Sequence, residues 1–315
     1  MSDTDDRLAR CVRREGGLIL RSEQKHLPDA SNVLRTLTHH RVIERLGRGV
    51  YVEKARLDAL RPWERYDLEA TALGESSTRI LAGYSAAAVW GLWRYEATPR
   101  RHAFYRPGGG SRRTTRTSLR QVYHALRPGD VVGERLRATS LERTIVDLTR
   151  MNGFGAGFVA ACGALRDGLT DRERLQPYDT RGGEGLAHLP QIISRATGEV
   201  ESLLEAAFLA QAVFFGDVTL IPQVPVRGRN GRTYAVDFGV EGHEDLIELD
   251  GRGKYGASAT EQEFHLGREK ERADNLPTRP HRFGYGDVMS LRAYWQMLQR
   301  LRRSPRLHLP QIHRE

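Results

Sequence analysis

One segment of the chain, TYAVDFGVEGHEDLIELDG, places carboxylates inside two apolar runs, and this constrains the fold more than any other feature. Asp237 interrupts the first run, and Glu248 and Asp250 lie in the second. A carboxylate in such a run is costly to bury unless it is paired or holds a metal ion. The segment therefore predicts two strands whose acidic side chains face a partner.

The same spacing predicts how those carboxylates are arranged. Side chains alternate across a strand, so Glu248 and Asp250 share one face. A turn over Glu241–Glu244 would form a hairpin and bring Asp237 beside Glu248. Such a cup of oxygen ligands suits a divalent ion such as Mg²⁺. The alternative is a hairpin whose polar face is simply solvated.

Composition limits the classes of protein to which the chain can belong. Its 315 residues suffice for two or three domains with their own cores. The 49 Lys and Arg residues outnumber 40 Asp and Glu, which favours a polyanionic partner, most simply nucleic acid. The two cysteines, Cys11 and Cys162, are far apart, which excludes a disulfide framework and a cysteine zinc site.

Hydropathy predicts a protein that neither crosses nor enters a membrane. No stretch approaches the roughly 18 apolar residues of a membrane span. The first residues, MSDTDDRLAR, are acidic and unlike a signal peptide. We therefore expect a cytoplasmic protein.

The first segment, residues 1–56, predicts a winged helix-turn-helix. Its pattern reads helix, a short helix capped by Ser22, a third helix over SNVLRTLTHH, and then a hairpin. In that fold the third helix enters the major groove of DNA. The candidate DNA-binding residues are Asn32, Arg35, Thr36 and His39 on the helix, and Arg45 and Arg48 at the wing. A small helical domain that mediates protein contacts is the alternative.

The other segments predict a mixed α/β protein. Residues 57–180 form an α+β connecting segment, which includes a helix capped by Ser85. Residues 181–303 read α, β, β, β, α, β with the acidic strands central, and residues 304–315 form a tail. The final strand is expected over HRFGYGDV, and the first helix is expected to include Glu201.

The third segment resembles the restriction-endonuclease-like domain related to the very-short-patch repair endonucleases. The residues that carry this resemblance are Glu201-Ser202, Gln223 to Val226, Val236 to Phe238, Ile247 to Gly251, Lys254-Tyr255 and Glu269 to Leu276. The first two segments resemble the AbiEi-type antitoxin arrangement, in which a winged helix is joined to a domain that here carries Thr139 to Leu148. Together the two resemblances cover most of the chain.

The resemblance implies a PD-(D/E)xK-type phosphodiesterase core that uses Mg²⁺ or Mn²⁺. Asp237 and Glu248 would hold the ion and Glu201 would complete the shell, with Glu205 one turn later as an alternative. The usual Lys two residues after the Glu is replaced by Asp250, which could instead be a further metal ligand. Lys254 would then stabilise the developing charge, or Gln223 would orient the water.

Three functions are compatible with these patterns. The first is a metal-dependent DNA endonuclease or nickase acting in defence or repair. The second is a DNA-binding regulator of the type IV antitoxin kind, whose nuclease-like domain no longer cuts and whose partner is a nucleotidyltransferase-type toxin. The third is a protein that cuts or guards RNA. Winged-helix proteins often dimerise on palindromes, so a homodimer is left open.

Overall fold

Three β-sheets and the helices packed on them give the chain a mixed α/β fold. The computed structural model describes residues 3–14, 16–107, 118–178, 185–251 and 274–302. The chain divides into an N-terminal unit, residues 1–151, and a C-terminal unit, residues 152–315. The segment boundaries at 56/57 and 180/181 stay predictions. Among the described residues, every helix is too short or too polar to cross a lipid bilayer.

The first part of the N-terminal unit is a small helical layer against a three-stranded antiparallel sheet of order β1-β3-β2. Its elements are α1 (Asp3–Ala9), β1 (Leu18–Leu20), a 3-10 turn (Arg21–Glu23), α2 (Ala30–His39), β2 (Ile43–Gly47) and β3 (Val50–Glu53). The predicted hairpin is therefore present, with Arg48 and Gly49 forming its turn.

Helix α2 begins where the sequence predicts the third helix. The side chain of Asp29 accepts a hydrogen bond from the Asn32 backbone N–H, which caps the first turn. Leu34 and Leu37 are buried against Ile43 and the rest of this small core. The short helix expected to be capped by Ser22 is instead the 3-10 turn, which ends at Glu23. That expectation was wrong because Pro28 leaves too few residues for a stable helical turn.

The second part of the N-terminal unit is a mixed five-stranded sheet of order β6-β5-β4-β8-β7. Its elements are α3 (Lys54–Ala59), α4 (Pro62–Glu75), β4 (Ile80–Ala82), α5 (Gly83–Trp90), β5 (His102–Tyr105), β6 (Leu119–Gln121), β7 (Val131–Val132), β8 (Arg137–Thr139) and α6 (Leu141–Asn152). The strand predicted at HAFYRP is β5, and the helix predicted at ATSLERTIVDLTR is α6.

Ser85 does not cap α5, which corrects the sequence expectation. The helix begins at Gly83, and Ser85 is fully buried within it. Its Oγ lies 3.0 Å from the Tyr66 hydroxyl and accepts a hydrogen bond from the Ala103 N–H. A buried serine with two polar partners is as compatible with a helix interior as with a cap, so its residue type alone was misleading.

A buried ion cluster holds α6 against the five-stranded sheet. Arg143 donates to Asp147 (2.9 Å), to Asp130 (2.7 Å) and to the hydroxyl of Tyr105 (2.7 Å). The side chains of Arg143, Asp147 and Asp130 are 4%, 0% and 1% exposed. Burial is the largest influence on Asp147 and raises the pKa of its carboxyl above the ordinary value. The Arg143 guanidinium acts in the opposite direction, because a nearby positive charge lowers the pKa of a carboxyl group.

Two glycines with left-handed backbones allow a prediction about the turn between β7 and β8. Gly133 has φ of +82°, and a Cβ there would lie 2.1 Å from the Leu136 carbonyl oxygen. Gly129 has φ of +87°, with nothing within 4 Å of its Cβ position. Alanine is strained by the left-handed backbone at both positions, and only Gly133→Ala adds a steric clash. Gly133→Ala should therefore destabilise the N-terminal unit by about 2 kcal/mol more than Gly129→Ala. Urea unfolding of the two variants checks this, and equal free energies of unfolding would contradict it.

The C-terminal unit contains a four-stranded sheet of order β12-β11-β10-β9. Its elements are α7 (Phe154–Arg166), α8 (Arg172–Leu175), a 3-10 turn (Gln176–Tyr178), α9 (Leu189–Arg195), α10 (Leu203–Phe215), β9 (Leu220–Arg227), β10 (Thr233–Val240), β11 (Leu246–Asp250), β12 (His281–Gly284), α11 (Tyr285–Met289) and α12 (Arg292–Leu301). Strands β9, β10 and β11 are antiparallel, and β12 runs parallel to β11.

The two acidic strands, β10 and β11, are central in this sheet, as the sequence predicts. The last strand is shorter than expected, since HRFGYGDV becomes helical after Gly284. Helix α10 packs on one face of the sheet, where Phe208 contacts Phe238 and Phe283. Strand β9 lies at the edge, which accommodates Pro222 and Pro225 because an edge strand can omit ladder hydrogen bonds.

Candidate functional site

Asp237 and Glu248 lie on the neighbouring strands β10 and β11. Phe238 pairs with Ile247 and Gly239 with Leu246, and the same register continued by one residue sets Asp237 opposite Glu248. Residues directly opposite in such a pair share one face, with Cβ atoms roughly 4.5–5.5 Å apart. The two carboxylates thus lie on adjacent strands, as the hairpin hypothesis expects, and their joint use as metal ligands stays a prediction.

Both carboxylates have partners in the structure. Glu248 is 6% exposed, and its Oε2 lies 2.9 Å from Nη2 of Arg282, its neighbour on β12. Asp237 is half-buried, and its Oδ2 accepts a hydrogen bond of 2.7 Å from the Leu249 N–H. The guanidinium of Arg282 thus compensates the negative charge of Glu248.

The carboxylate on α10 is Glu205 rather than Glu201. Helix α10 begins at Leu203 with Ser202 as its N-cap, so Glu201 precedes the helix and is exposed. The expectation that Glu201 lies on the helix was wrong. Glu205 is 6% exposed, accepts hydrogen bonds from the Ser202 hydroxyl and the Glu201 N–H, and is therefore held in one orientation.

Gln223 connects the edge strand to this helix terminus. On β9 it lies between Pro222, which pairs with Phe238, and Val224, which pairs with Val236. Its place along the sheet is therefore level with that of Asp237 on β10. Its φ of 51° is a left-handed conformation that is strained for a residue with a side chain. Its Nε2 donates a 3.1 Å hydrogen bond to Oε2 of Glu205. The residue with the strained backbone is thus also the one that holds Glu205, a candidate site residue.

Of the remaining predicted site residues, Asp250 lies within the described part of the chain and Lys254 does not. Asp250 ends β11 and is exposed. Lys254 lies outside the described residues. Within the described ranges, no three or more His, Cys, Asp or Glu side chains are grouped closely enough to hold a metal ion. Asp237 and Glu248 fit a divalent cation in donor chemistry, since carboxylate oxygens are what Mg²⁺ and Mn²⁺ prefer. The full ligand set stays a prediction.

The candidate nucleic-acid residues lie on the outward side of α2 and at the β2–β3 turn. Arg35, His39, Arg45 and Arg48 are exposed, and Asn32 and Thr36 are half-buried. Arg35 donates a 2.6 Å hydrogen bond to the Asn32 side chain, which ties two of these groups together. The opposite side of the helix carries the buried Leu34 and Leu37. The predicted polar face is therefore accessible.

A groove of about 1040 Å³ adjoins this face and extends the basic surface. It runs between the start of α2, the β2–β3 turn and the loop before β8. Its charged lining residues are Arg21, Lys25, Arg45, Arg48, Arg135 and Glu75. Five cations against one anion make the groove strongly positive, which suits a phosphate backbone.

Sequence analysis missed the contribution of Arg135, which comes from the second part of the N-terminal unit. Its Nε lies 2.8 Å from Oε2 of Glu75, and its Nη2 donates to the Ser22 hydroxyl at 2.8 Å. Arg14 also pairs with Glu75, whose side chain is 2% exposed. No sequence spacing could have found this network, because its members come from distant segments that only tertiary packing brings together.

Known proteins give no further guidance on either site. Neither the comparison with models of protein families nor the comparison with curated proteins finds a match.

Proposed function

We propose that the chain is a DNA-binding protein whose C-terminal unit carries a metal-dependent phosphodiesterase site. The observation that carries the proposal is the register of the two central strands, β10 and β11, which when continued by one residue sets Asp237 opposite Glu248. The burial of Glu248 and the half-burial of Asp237 are costly for charged groups unless a positive charge compensates them, which a bound cation would do. The proposal assigns the third carboxylate to Glu205, in place of Glu201.

Each of these side chains has a distinct role in the proposed site. Asp237 and Glu248 would hold the cation, and Glu205, which is not grouped with them in the described structure, would reach it through a water molecule. When bound, the ion neutralises the scissile phosphate and lowers the pKa of a coordinated water. Gln223 is a positioning residue, because its hydrogen bond fixes the Glu205 carboxylate. The sheet order and the single parallel strand agree with the PD-(D/E)xK-like resemblance of this segment.

The first part of the N-terminal unit supports DNA as the substrate. Its α1, α2 and three-stranded sheet are compatible with a winged helix-turn-helix in which the 3-10 turn stands in place of the second helix, and the exposed face of α2 is polar and basic. A single helix of this kind fits the major groove of B-DNA but is too wide for the deep, narrow major groove of RNA. We therefore place DNA ahead of RNA.

The proposal is tested by incubating the full chain with supercoiled plasmid and either Mg²⁺ or Mn²⁺. We expect conversion to the open-circular or linear form, and we expect EDTA to abolish it. A protein that binds the plasmid but leaves it intact with both ions would contradict the proposed activity. The purified chain must shift the plasmid on a gel, so that a lack of cutting is not a lack of binding.

A second candidate function is a DNA-binding regulator that does not cut. The ion pair of Arg282 with Glu248 favours it, because a guanidinium within 2.9 Å of a proposed ligand competes with a metal ion. Asp250 in place of the usual Lys also removes a cation from the site. Intact plasmid together with tight, metal-independent DNA binding would support this regulator.

The basic groove yields a prediction about the salt dependence of DNA binding. Arg48→Ala removes an exposed cation at the β2–β3 turn, so it should lower the slope of log affinity against log salt by about 1. Fluorescence anisotropy with a random-sequence duplex over several salt concentrations measures this slope. Arg100→Ala, which removes an exposed arginine that does not line the groove, is the matched control. Equal slopes for the two variants would exclude the groove as the phosphate contact.

A further inference from the structure

The five-stranded sheet of the N-terminal unit has a cavity at one edge, which we call the edge cavity. It has a volume of about 450 Å³ and is lined by Ile80, Tyr105, Arg106, Pro107, Gln121, Val122, Tyr123, His124, Ala125, Leu126 and Arg137. That volume is within the range of small-molecule sites, about 300–1,000 Å³. The proposed nuclease and DNA-binding roles make no use of it.

Strand directions explain why this cavity forms. Strands β4 and β8 begin at this edge with Ile80 and Arg137, which pair with each other. Strand β5 ends here at Tyr105, and β6, which is parallel to β5, ends here as well. Residues 106–107 after β5 and residues 122–126 after β6 therefore lie at the same edge, and they line the cavity. Ile80, Tyr105 and Val122, which also line it, belong to the apolar core of the sheet.

The cavity brings together two positively charged side chains. Arg106, just after β5, and Arg137, at the start of β8, are half-buried and both line it. No Asp or Glu is among the described lining residues. Asp130 and Asp147, two buried acids of this unit, are bound by Arg143. Two guanidiniums that converge on one concave space suit a dianion such as a phosphate monoester.

Arg106 gives a more specific sign of a missing partner. Its Nε atom is buried and has no hydrogen-bond acceptor among the described residues. A buried donor without an acceptor is unfavourable, and a bound oxyanion would remove that penalty. At the rim of the cavity, the ring of Tyr123 is 64% exposed. An exposed aromatic ring beside an anion site is the arrangement that stacks on a nucleobase.

We propose that the edge cavity binds a nucleotide, with its phosphate monoester between Arg106 and Arg137 and its base against Tyr123. The nucleotide could be free, or it could be the 5′-phosphorylated end of a nucleic-acid strand. Both sources share the same chemistry. This site is separate in residues from the groove beside α2.

Isothermal titration calorimetry of the full chain tests the proposal. The probes are the four ribonucleoside 5′-monophosphates, the matching nucleosides, inorganic phosphate, and a short single-stranded oligonucleotide with and without a 5′-phosphate. We expect at least one monophosphate or the phosphorylated oligonucleotide to bind, and to bind more tightly than its form without the phosphate. Whichever of these binds identifies the source. Failure of every monophosphate and of the phosphorylated oligonucleotide would overturn the proposal.

Variants separate this site from other phosphate contacts. Arg106→Gln and Arg137→Gln should each weaken nucleotide binding about tenfold or more. Tyr123→Ala, at an exposed position that folding tolerates, should weaken nucleotide binding but leave the binding of inorganic phosphate unchanged. Arg120→Gln on β6 is an exposed control outside the cavity and should bind as the wild type does. Nucleotide binding that survives Arg137→Gln and Tyr123→Ala would overturn the assignment.

Discussion

Asp237→Asn and Glu248→Gln are each expected to lower the rate of metal-dependent plasmid nicking by at least about 100-fold. Each substitution keeps the size and shape of the side chain and removes one negative charge from the proposed site. The strands should keep their register, because the apolar partners Phe238 and Ile247 are on the other face and are fully buried. A loss of nicking would therefore reflect lost charge rather than lost structure.

Controls for this prediction come from the same hairpin. Glu241→Gln and Glu244→Gln neutralise exposed carboxylates in the turn between β10 and β11, and both should nick at the wild-type rate. Circular dichroism spectra of the variants should coincide with that of the wild type. Metal-dependent nicking that persists in both Asp237→Asn and Glu248→Gln would mean that the activity resides elsewhere or comes from a contaminant.

A comparison of Glu205 with Glu201 decides which residue is the third carboxylate. Glu205→Gln should reduce nicking about tenfold or more, whereas Glu201→Gln should have little effect. The reason is their placement, since Glu205 is buried and bound to Gln223 while Glu201 is exposed before the helix. The opposite ranking of nicking rates would restore the assignment made from the sequence.

Arg143→Leu is expected to destabilise the N-terminal unit by about 3–5 kcal/mol. The substitution leaves Asp130 and Asp147 buried without their shared guanidinium, and it removes the hydrogen bond to the Tyr105 hydroxyl. Urea unfolding followed by tryptophan fluorescence measures the effect. A Trp295→Phe background restricts the signal to this unit, because the other three tryptophans lie within it.

The destabilisation by Arg143→Leu should also depend on pH. Burial already raises the pKa of Asp147, and removing Arg143 takes away a charge that lowers it. A carboxyl whose pKa is higher in the folded than in the unfolded state binds protons preferentially when folded, so its unfavourable contribution fades as the pH falls. The destabilisation should therefore be largest at neutral pH and above, and should shrink as the pH falls toward the ordinary range for Asp, near about 4.

The stability prediction for Arg143→Leu has a matched control variant, and two outcomes would contradict it. Arg100→Leu removes an exposed arginine of the same unit and should change the free energy of unfolding by less than about 0.5 kcal/mol. If Arg143→Leu behaves like Arg100→Leu, the cluster does not stabilise the fold. A destabilisation that grows as the pH falls would contradict the linkage to Asp147.

The sequence predicted the elements whose signals are local. The alternation around Asp237 and Glu248 placed two strands side by side in the centre of a sheet, and Leu34 and Leu37 identified the buried face of α2. These signals are usable because the spacing of apolar residues along a segment depends only on the segment's own sequence. The expected short helix after Ser22 failed because a 3-10 turn satisfies the same few residues before Pro28.

Features that depend on tertiary packing were beyond sequence reasoning. Thr139 to Leu148 carried a family resemblance, yet their structural contribution is a buried ion cluster whose partners, Asp130 and Tyr105, lie in other elements. The four-residue spacing of Arg143 and Asp147 is typical of an ion pair on a helix, but it does not predict that the pair is buried. The left-handed backbone of Gln223 and the convergence of Arg106 with Arg137 have no sequence signature.

Calorimetric titration of the full chain with Mn²⁺ tests the central claim most directly, because it measures the cation site without requiring that it cut DNA. The account predicts saturable Mn²⁺ binding by the wild type that is lost in Asp237→Asn and in Glu248→Gln but retained in Glu244→Gln. The absence of binding by the wild type, or equal binding by all four proteins, would contradict the claim that Asp237 and Glu248 share a metal ion.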